Sequence, residues 1–429
     1  MKNRKALALI AILALVAAAC GGSDGGSDEA VVEVETTEAP ATTEAPTTTA
    51  APAPAGDPLI LASLMPLSGD LASLGPGIAL GAALAVEQIN AAGGINGQPV
   101  VLIEGDSGCD GAVALTSLND VIAQGVMGAA CSGTSLAILD TAIAAEVVMV
   151  SPSNTSPQFT KIDKKGFYAR TAPSDLLQGD VLASLLVEDG VQTVSIISRA
   201  DSYGRGLAEA TAAAFEAAGG TVKTIVYHAT DATEFTSEVT AVGKGGADAI
   251  VGILFPETGC GVLQPAFEQG LLDTPWYMTD GVKDAGLASL CGLGTALDGF
   301  KGTAPGSAAG EAKDAFEAAY AGVSADGSPT FIFAPQAYDA VMLMAISAAA
   351  NGVTGPEIAS GLVAASSGGE KCIGVACIAL AADGVDVDYV GASGEIELNA
   401  VGDPTAATYD IWTTEGDTNP VLKSVDFGS

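Results

Sequence analysis

A single histidine, His228, serves all 429 residues, and basic side chains are scarce: 16 lysines and arginines face 51 acidic residues, a formal charge of −35. The shortage of imidazole bears on two chemistries. A Ser-His-Asp apparatus needs a base within hydrogen-bond reach of its serine, so it would have to recruit His228 from the strand-like run TIVYHATD. A metal centre built on paired histidines is impossible, and no CxxC spacing offers a thiolate alternative. No metal or other cofactor is expected. The shortage of positive charge argues against nucleic acid and anionic membrane surfaces as partners, because either requires a basic face.

Two apparent motifs then lose their force. Gly105-Asp106-Ser107-Gly108 matches the letters around a protease nucleophile. Here, however, the serine falls just past the second strand of a βαβ pattern, and four-letter matches count only in their structural context. The run from Gly75 to Gly81 has a GxGxxxG spacing. A dinucleotide fingerprint needs its glycines directly after a strand, and MPLSGDLASL intervenes. Neither an enzyme nor a nucleotide site is expected.

What is present begins at the N-terminus. MKNRK is basic, and ALALIAILALVAAA follows as fourteen apolar residues, too few to cross a bilayer but suited to a signal-peptide core. Ala17-Ala18-Ala19-Cys20 resembles a bacterial lipobox, with alanine where leucine is usual at the first position. Residues 1–19 are therefore expected to be a lipoprotein signal and Cys20 the lipidated first residue, with an ordinary secretory signal as the alternative. Residues 20–56, where TTEAP occurs twice and aromatic and basic residues are missing, read as a disordered tether: such a composition cannot bury enough apolar surface to offset its ordering entropy.

From Asp57 strand and helix patterns alternate. LILASL, PVVLIEGD, VMGAAC and VVMVSPS are separated by helical stretches, and after FYARTAPSD a second series runs through TVSIIS, KTIVYHA, DAIVGILF and PWYMTDG. Two such series predict an α/β protein with two doubly wound parallel-sheet lobes. The expected division is 57–172 for lobe 1, 173–302 for lobe 2, 303–405 for the return to lobe 1 and 406–429 for the return to lobe 2. Without Cys20, six cysteines remain, an even number in an exported chain. Cys109 and Cys131 follow neighbouring strands at one sheet edge and are expected to pair. This leaves Cys260, Cys291, Cys372 and Cys377, for which 260–291 and 372–377 follow by exclusion, although the sequence does not itself fix that pairing.

INAAGGINGQPV, DSGCDG, CSGTS, VSPSNTSPQFT, ARTAPSDLLQG, ADSYGRG, FPETG and YMTDG occur in that order. Together they resemble the leucine/isoleucine/valine-binding proteins of bacterial ABC importers, the type I periplasmic binding-protein family, across most of residues 58–415. The resemblance implies two lobes joined by three crossovers and a ligand held between them. Physical reasoning supports the same place: ligands in open α/β sheets bind beyond the carboxyl ends of strands. Ser132, Gly133, Thr134 and Ser135 fall between a strand end and a helix N-terminus, where free N–H groups favour a carboxylate. Ser132 or Ser135 could instead be a simple helix cap. The resemblance adds backbone contacts at Ser153 and Asn154, side chain and backbone at Thr155, aromatic walls at Tyr203 and Phe255, and an ammonium partner at Asp280, followed by Gly281. Leu74 stands where some relatives carry an aromatic residue.

The expected protein is thus a monomeric, membrane-anchored extracytoplasmic binding protein. It would capture an amino acid, aliphatic or branched-chain, and deliver it to ABC permease subunits. An amide, urea or other small polar solute, and a sensing domain without transport, are the alternatives. The tether carries no other apolar anchor, so Cys20→Ala is expected to release the protein from membranes or stall its processing. Unchanged membrane association in fractionated cells would defeat the lipoprotein reading.

Overall fold

The computed structural model describes residues 56–121 and 123–427; the signal segment, Cys20 and most of the tether lie outside them. The first lobe opens with strand β1 (Ile60–Met65), helix α1 (Gly75–Ala91), β2 (Val101–Asp106), α2 (Gly111–Asp120), β3 (Gly125–Gly128), α3 (Ser132–Ala144), β4 (Val148–Ser151), the short α4 (Gln158–Lys161) and β5 (Tyr168–Arg170). The second continues with α5 (Asp175–Glu188), β6 (Thr193–Arg199), α6 (Ser202–Ala217), β7 (Thr221–His228), α7 (Thr236–Gly243), β8 (Ala249–Ile253), α8 (Pro256–Glu268), β9 (Trp276–Met278), α9 (Leu287–Leu290) and β10 (Lys301–Pro305). The chain then returns through α10 (Glu311–Val323), α11 (Ala334–Asn351), α12 (Gly355–Ala365), β11 (Glu370–Ile373), α13 (Ala376–Ala382), β12 (Val387–Gly391) and β13 (Gly394–Glu395), and ends in β14 (Ala407–Thr413) and β15 (Val421–Phe427).

Five strands form the first sheet in the order β2-β1-β3-β4-β5, all parallel. Its central strands are covered on both faces, which is why they read as continuous apolar runs rather than as alternations. On one face Ala62, Leu64, Val126 and Met149 meet Ile138, Leu139 and Phe159. On the other, Leu61, Met127, Val148 and Val150 belong to the core that includes α1 and α11. These two helices approach closely: a Cβ at Gly81 would overlap the Ala334 carbonyl.

Seven strands form the second sheet, β15-β14-β10-β9-β8-β6-β7. From β7 to β10 it is parallel; β14 pairs antiparallel with β10, and β15 antiparallel with β14. The antiparallel edge follows from the chain path, since β14 re-enters the sheet after the third crossing and turns back through Glu415–Thr418. The exposed edge strand VLKSVDF went unread in the sequence because it has no buried face. β10 runs through Pro305, so the second lobe extends past the boundary expected at 302. A small third sheet, β11-β12-β13, lies within the returning segment.

Three disulfides are present. Cys109–Cys131 joins the loop after β2 to the start of α3, Cys260–Cys291 ties α8 to the end of α9, and Cys372–Cys377 closes the loop between β11 and α13. No helix among the described residues is long and apolar enough to cross a membrane.

Candidate functional site

The carboxyl ends of both sheets turn toward a common cleft, and three hydrogen-bonded loops shape its first-lobe wall. The loop after β2 answers the protease resemblance. Asp106 accepts from the backbone of Leu67 and Ser68 at 2.9 and 3.2 Å, from Gly108 N at 2.8 Å, and from the Ser68 hydroxyl. It thereby stitches the loop after β1 to the loop after β2. Burial raises its pKa, but these donors outweigh burial and hold it below the usual carboxylate range. Ser107 is buried, while His228 lies on β7 of the other lobe, with Nδ1 3.0 Å from the Ala229 carbonyl and its ring edge-on to Phe235. Gly105–Gly108 is a loop clamp.

The other two loops converge on the carbonyls of Ala129 and Ala130. Asn154 Nδ2 donates to both at 2.8 Å, the Ser135 hydroxyl donates to Ala129 at 2.7 Å, and the Ser153 hydroxyl to Ala130 at 3.1 Å. α3 starts at Ser132, with Cys131 as its cap residue. Neither serine therefore caps the helix; the Ser132 hydroxyl instead accepts from Ser156 N at 3.3 Å. The first-turn amides of Ser132, Gly133 and Thr134 precede the first intrahelical bond, which Ser135 N makes to Cys131. They face the cleft with the positive end of the helix dipole behind them.

The second lobe contributes a buried carboxylate. Asp280, 3% exposed, begins a short 3-10 turn after β9. Gln178 Nε2 and the Tyr203 hydroxyl both donate to its Oδ1, at 2.7 and 2.9 Å, while the residue itself lines the cleft. Burial pushes its pKa up to about 6 against the pull of these two donors. Tyr203, whose own hydroxyl is pushed up by burial and by Asp280, packs 5.2 Å from the Phe255 ring. Gly281 allows this wall to form: a Cβ there would sit 2.9 Å from the ring of Phe255.

Together these groups enclose about 210 Å3. Sites for drug-sized ligands run roughly 300–1,000 Å3, so the space suits a smaller molecule. Leu71, Leu74, Ile78 and Phe333 give it an apolar side. Of the residues singled out in the sequence, Ser132, Ser153, Tyr203, Phe255 and Asp280 line this space. Asn154 and Thr155 are not on its wall. The side-chain amide of Asn154 is taken by Ala129, Ala130 and Tyr168, its carbonyl accepts from Arg170, and the carbonyl of Thr155 accepts from Asp175 N. Gly281 supports the wall without lining it. Arg199 went unrecognised: it ends β6, pairs with Asp201 at 2.9 Å and lies over Phe255. Its position at the carboxyl end of a strand was the available signal.

The lobes are closed on each other. The Ser73 hydroxyl of the first donates to Glu257 of the second at 2.9 Å, and Gly206 of α6 lies so close to Pro157 that a Cβ would come within 2.7 Å.

A family profile described as periplasmic binding protein matches residues 58–371. An amino acid binding protein of Pseudomonas aeruginosa is 33% identical over 238 residues, 53% of this chain and 62% of that protein, so the match spans a little under two thirds of the relative. A leucine-, isoleucine-, valine-, threonine- and alanine-binding protein of the same organism is 29% identical over 304 residues, 68% of this chain and 78% of its own length. Among solved structures, a branched-chain amino acid transporter substrate binding protein from Streptococcus pneumoniae, in complex with isoleucine, has a TM-score of 0.72 at 22% identity; the alignment covers 87% of this chain and 100% of that one. A solute binding protein from R. palustris in complex with benzoate has a TM-score of 0.71 at 18% identity, covering 87% and 98%. At these identities the structural likeness speaks to fold alone.

Raising the Asp280 pKa from an ordinary 3.8 to about 6 has a consequence for stability. The native state holds that proton more tightly than the unfolded chain, so its contribution is full below about pH 4 and is lost as pH rises through 6. The loss is on the order of 3 kcal/mol. Without ligand, Asp280→Asn is therefore expected to be more heat-stable than the parent at pH 8 and indistinguishable from it near pH 4. Thermal unfolding across that range checks this; an Asn variant less stable at pH 8 would contradict it.

Proposed function

Because the chain belongs to the periplasmic binding protein family, we propose that it captures a single amino acid, aliphatic or branched-chain, between its lobes and hands it to the permease of an ABC importer. The single observation that carries the ligand class is the buried Asp280 carboxylate facing a helix N-terminus across a small, half-apolar cavity. A zwitterion matches both ends. Its carboxylate would accept from the amides of Ser132, Gly133 and Thr134, and its ammonium would meet Asp280 and the Tyr203 hydroxyl. The side chain would lie against Leu71, Leu74, Ile78 and Phe333, with Phe255 closing the opposite wall. The names of the Pseudomonas relatives support the same ligand class. In this reading the ligand is bound and released unchanged, and Cys20 holds the protein to the outer face of the membrane.

A second reading draws on the benzoate complex of one fold neighbour: an aromatic or aliphatic acid without an ammonium group. Asp280 separates the two readings. A simple acid gains nothing from an ionised carboxylate facing it, whereas an ammonium removed from water requires one.

Removing one partner of a buried charge pair costs about 2–5 kcal/mol, roughly 30-fold to several-thousand-fold in affinity. Asp280→Ala is expected to weaken leucine binding by that amount. Glu257, which bridges the lobes through Ser73 at the rim, is expected to matter no more than several-fold when replaced by alanine. Calorimetry on both variants checks the assignment, and an Asp280→Ala protein that binds leucine like the parent would show that the ammonium site is wrong.

A further inference from the structure

Behind Asp280 lies a second carboxylate that the binding site does not use. Asp175 is the first residue of α5, directly after the first crossing between lobes, and it is fully buried. Its backbone N–H donates to the Thr155 carbonyl at 2.8 Å, which places the Thr155 side chain beside it. Neither oxygen of its carboxyl has a hydrogen-bond partner, and the same holds for the Thr155 hydroxyl and for Gln178 Oε1. The Thr155 hydroxyl is near enough to draw the Asp175 pKa down, yet it does not reach hydrogen-bonding geometry. All four are buried polar atoms without a partner, and such groups are costly to leave unsatisfied.

Gln178 directs its amide N–H groups to Asp280 and Thr303, so its carbonyl needs a donor. Asp175 and Gln178 are three residues apart on one helix, the spacing at which side chains meet. An ionised Asp175 can only accept and cannot satisfy Gln178; a protonated one has an O–H to donate. The surrounding charges favour that proton. Asp280, Asp201, Tyr203, Tyr409 and Arg170 face Asp175, and the cation among them is already held by Asp403, with Arg170 Nε and Nη2 at 3.0 and 3.1 Å. Burial first, and Asp280 second, push the Asp175 carboxyl well above the usual carboxylate range.

We propose that Asp175 carries a proton and acts as a positioning residue: its O–H donates to Gln178, fixing the amide that holds the Asp280 carboxylate. The relay runs from the residue that follows the crossing to the ligand's countercharge. The inference rests on the proposed role of Asp280 for its purpose, but not for its test.

Infrared spectroscopy of the ligand-free protein at pH 8 isolates the proton. Asp280 and Asp339, both pushed by burial to about 6, are ionised there. A protonated-carboxyl carbonyl band is expected in the parent and is expected to vanish in Asp175→Asn; its absence from the parent would overturn the proposal. Two variants test positioning. Asparagine reproduces the donor and the acceptor, so Asp175→Asn should keep the Asp280 titration midpoint and bind leucine within about threefold of the parent. Asp175→Leu fills the space without either, so the midpoint should rise as Gln178 turns away, and leucine binding should weaken at least tenfold. An unchanged Asp280 midpoint in Asp175→Leu would overturn the relay, whatever the ligand. If no amino acid binds the parent, the proposed function falls, and the infrared band and the midpoints still decide the relay.

Discussion

Burial of the Asp280 carboxylate is the constraint around which the cleft is arranged. Taking a carboxylate out of water is costly unless it is paired or hydrogen-bonded, and here the Gln178 amide and the Tyr203 hydroxyl offset only part of that cost, leaving the group at a pKa of about 6. An ion held this way is poised for a cation. The free energy withheld from folding would become available to a cationic group brought beside it, the role proposed for a ligand ammonium.

The scaffold explains how such a group can be held without collapse. Asp280 stands at the end of β9, inside a parallel sheet, and its donors come from α5 and α6, which pack against one another. The opposite wall, the start of α3, is held by the hydrogen bonds that gather Ser135, Ser153 and Asn154 onto the carbonyls of Ala129 and Ala130, and by the Cys109–Cys131 bridge. Each wall is rigid within its lobe. Contacts between the lobes include the Ser73–Glu257 hydrogen bond and the close approach of Gly206 to Pro157.

Much of this was legible in the sequence. Buried parallel strands such as VMVS and AIVGI announce themselves as apolar runs, and the Cys109–Cys131 pair followed from where two strands end. Ser132 was singled out because ligands of open α/β sheets bind past strand termini, and Ser153, Tyr203, Phe255 and Asp280 through the family resemblance; all five line the cleft. Asn154 and Thr155 also lie past a strand end but face inward. The contact expected at Asn154 was through its backbone, whose N–H donates to the Ser151 hydroxyl and whose carbonyl accepts from Arg170. Asp175 and Gln178 were invisible for another reason. They act from the first turn of a helix after a crossing, and their role emerges only from which polar atoms lack partners in three dimensions. β15 escaped because its side chains are mostly exposed and carry no periodic signal.

The central claim is that the Asp280 carboxylate recognises a ligand ammonium. Calorimetric comparison of leucine with 4-methylpentanoate, which has the same side chain and carboxylate but no amino group, tests it most directly. The charge pairing described here predicts that loss of the ammonium weakens binding at least 30-fold, about 2 kcal/mol. Equal or tighter binding of the deaminated acid would contradict it and turn the site into one for simple carboxylates.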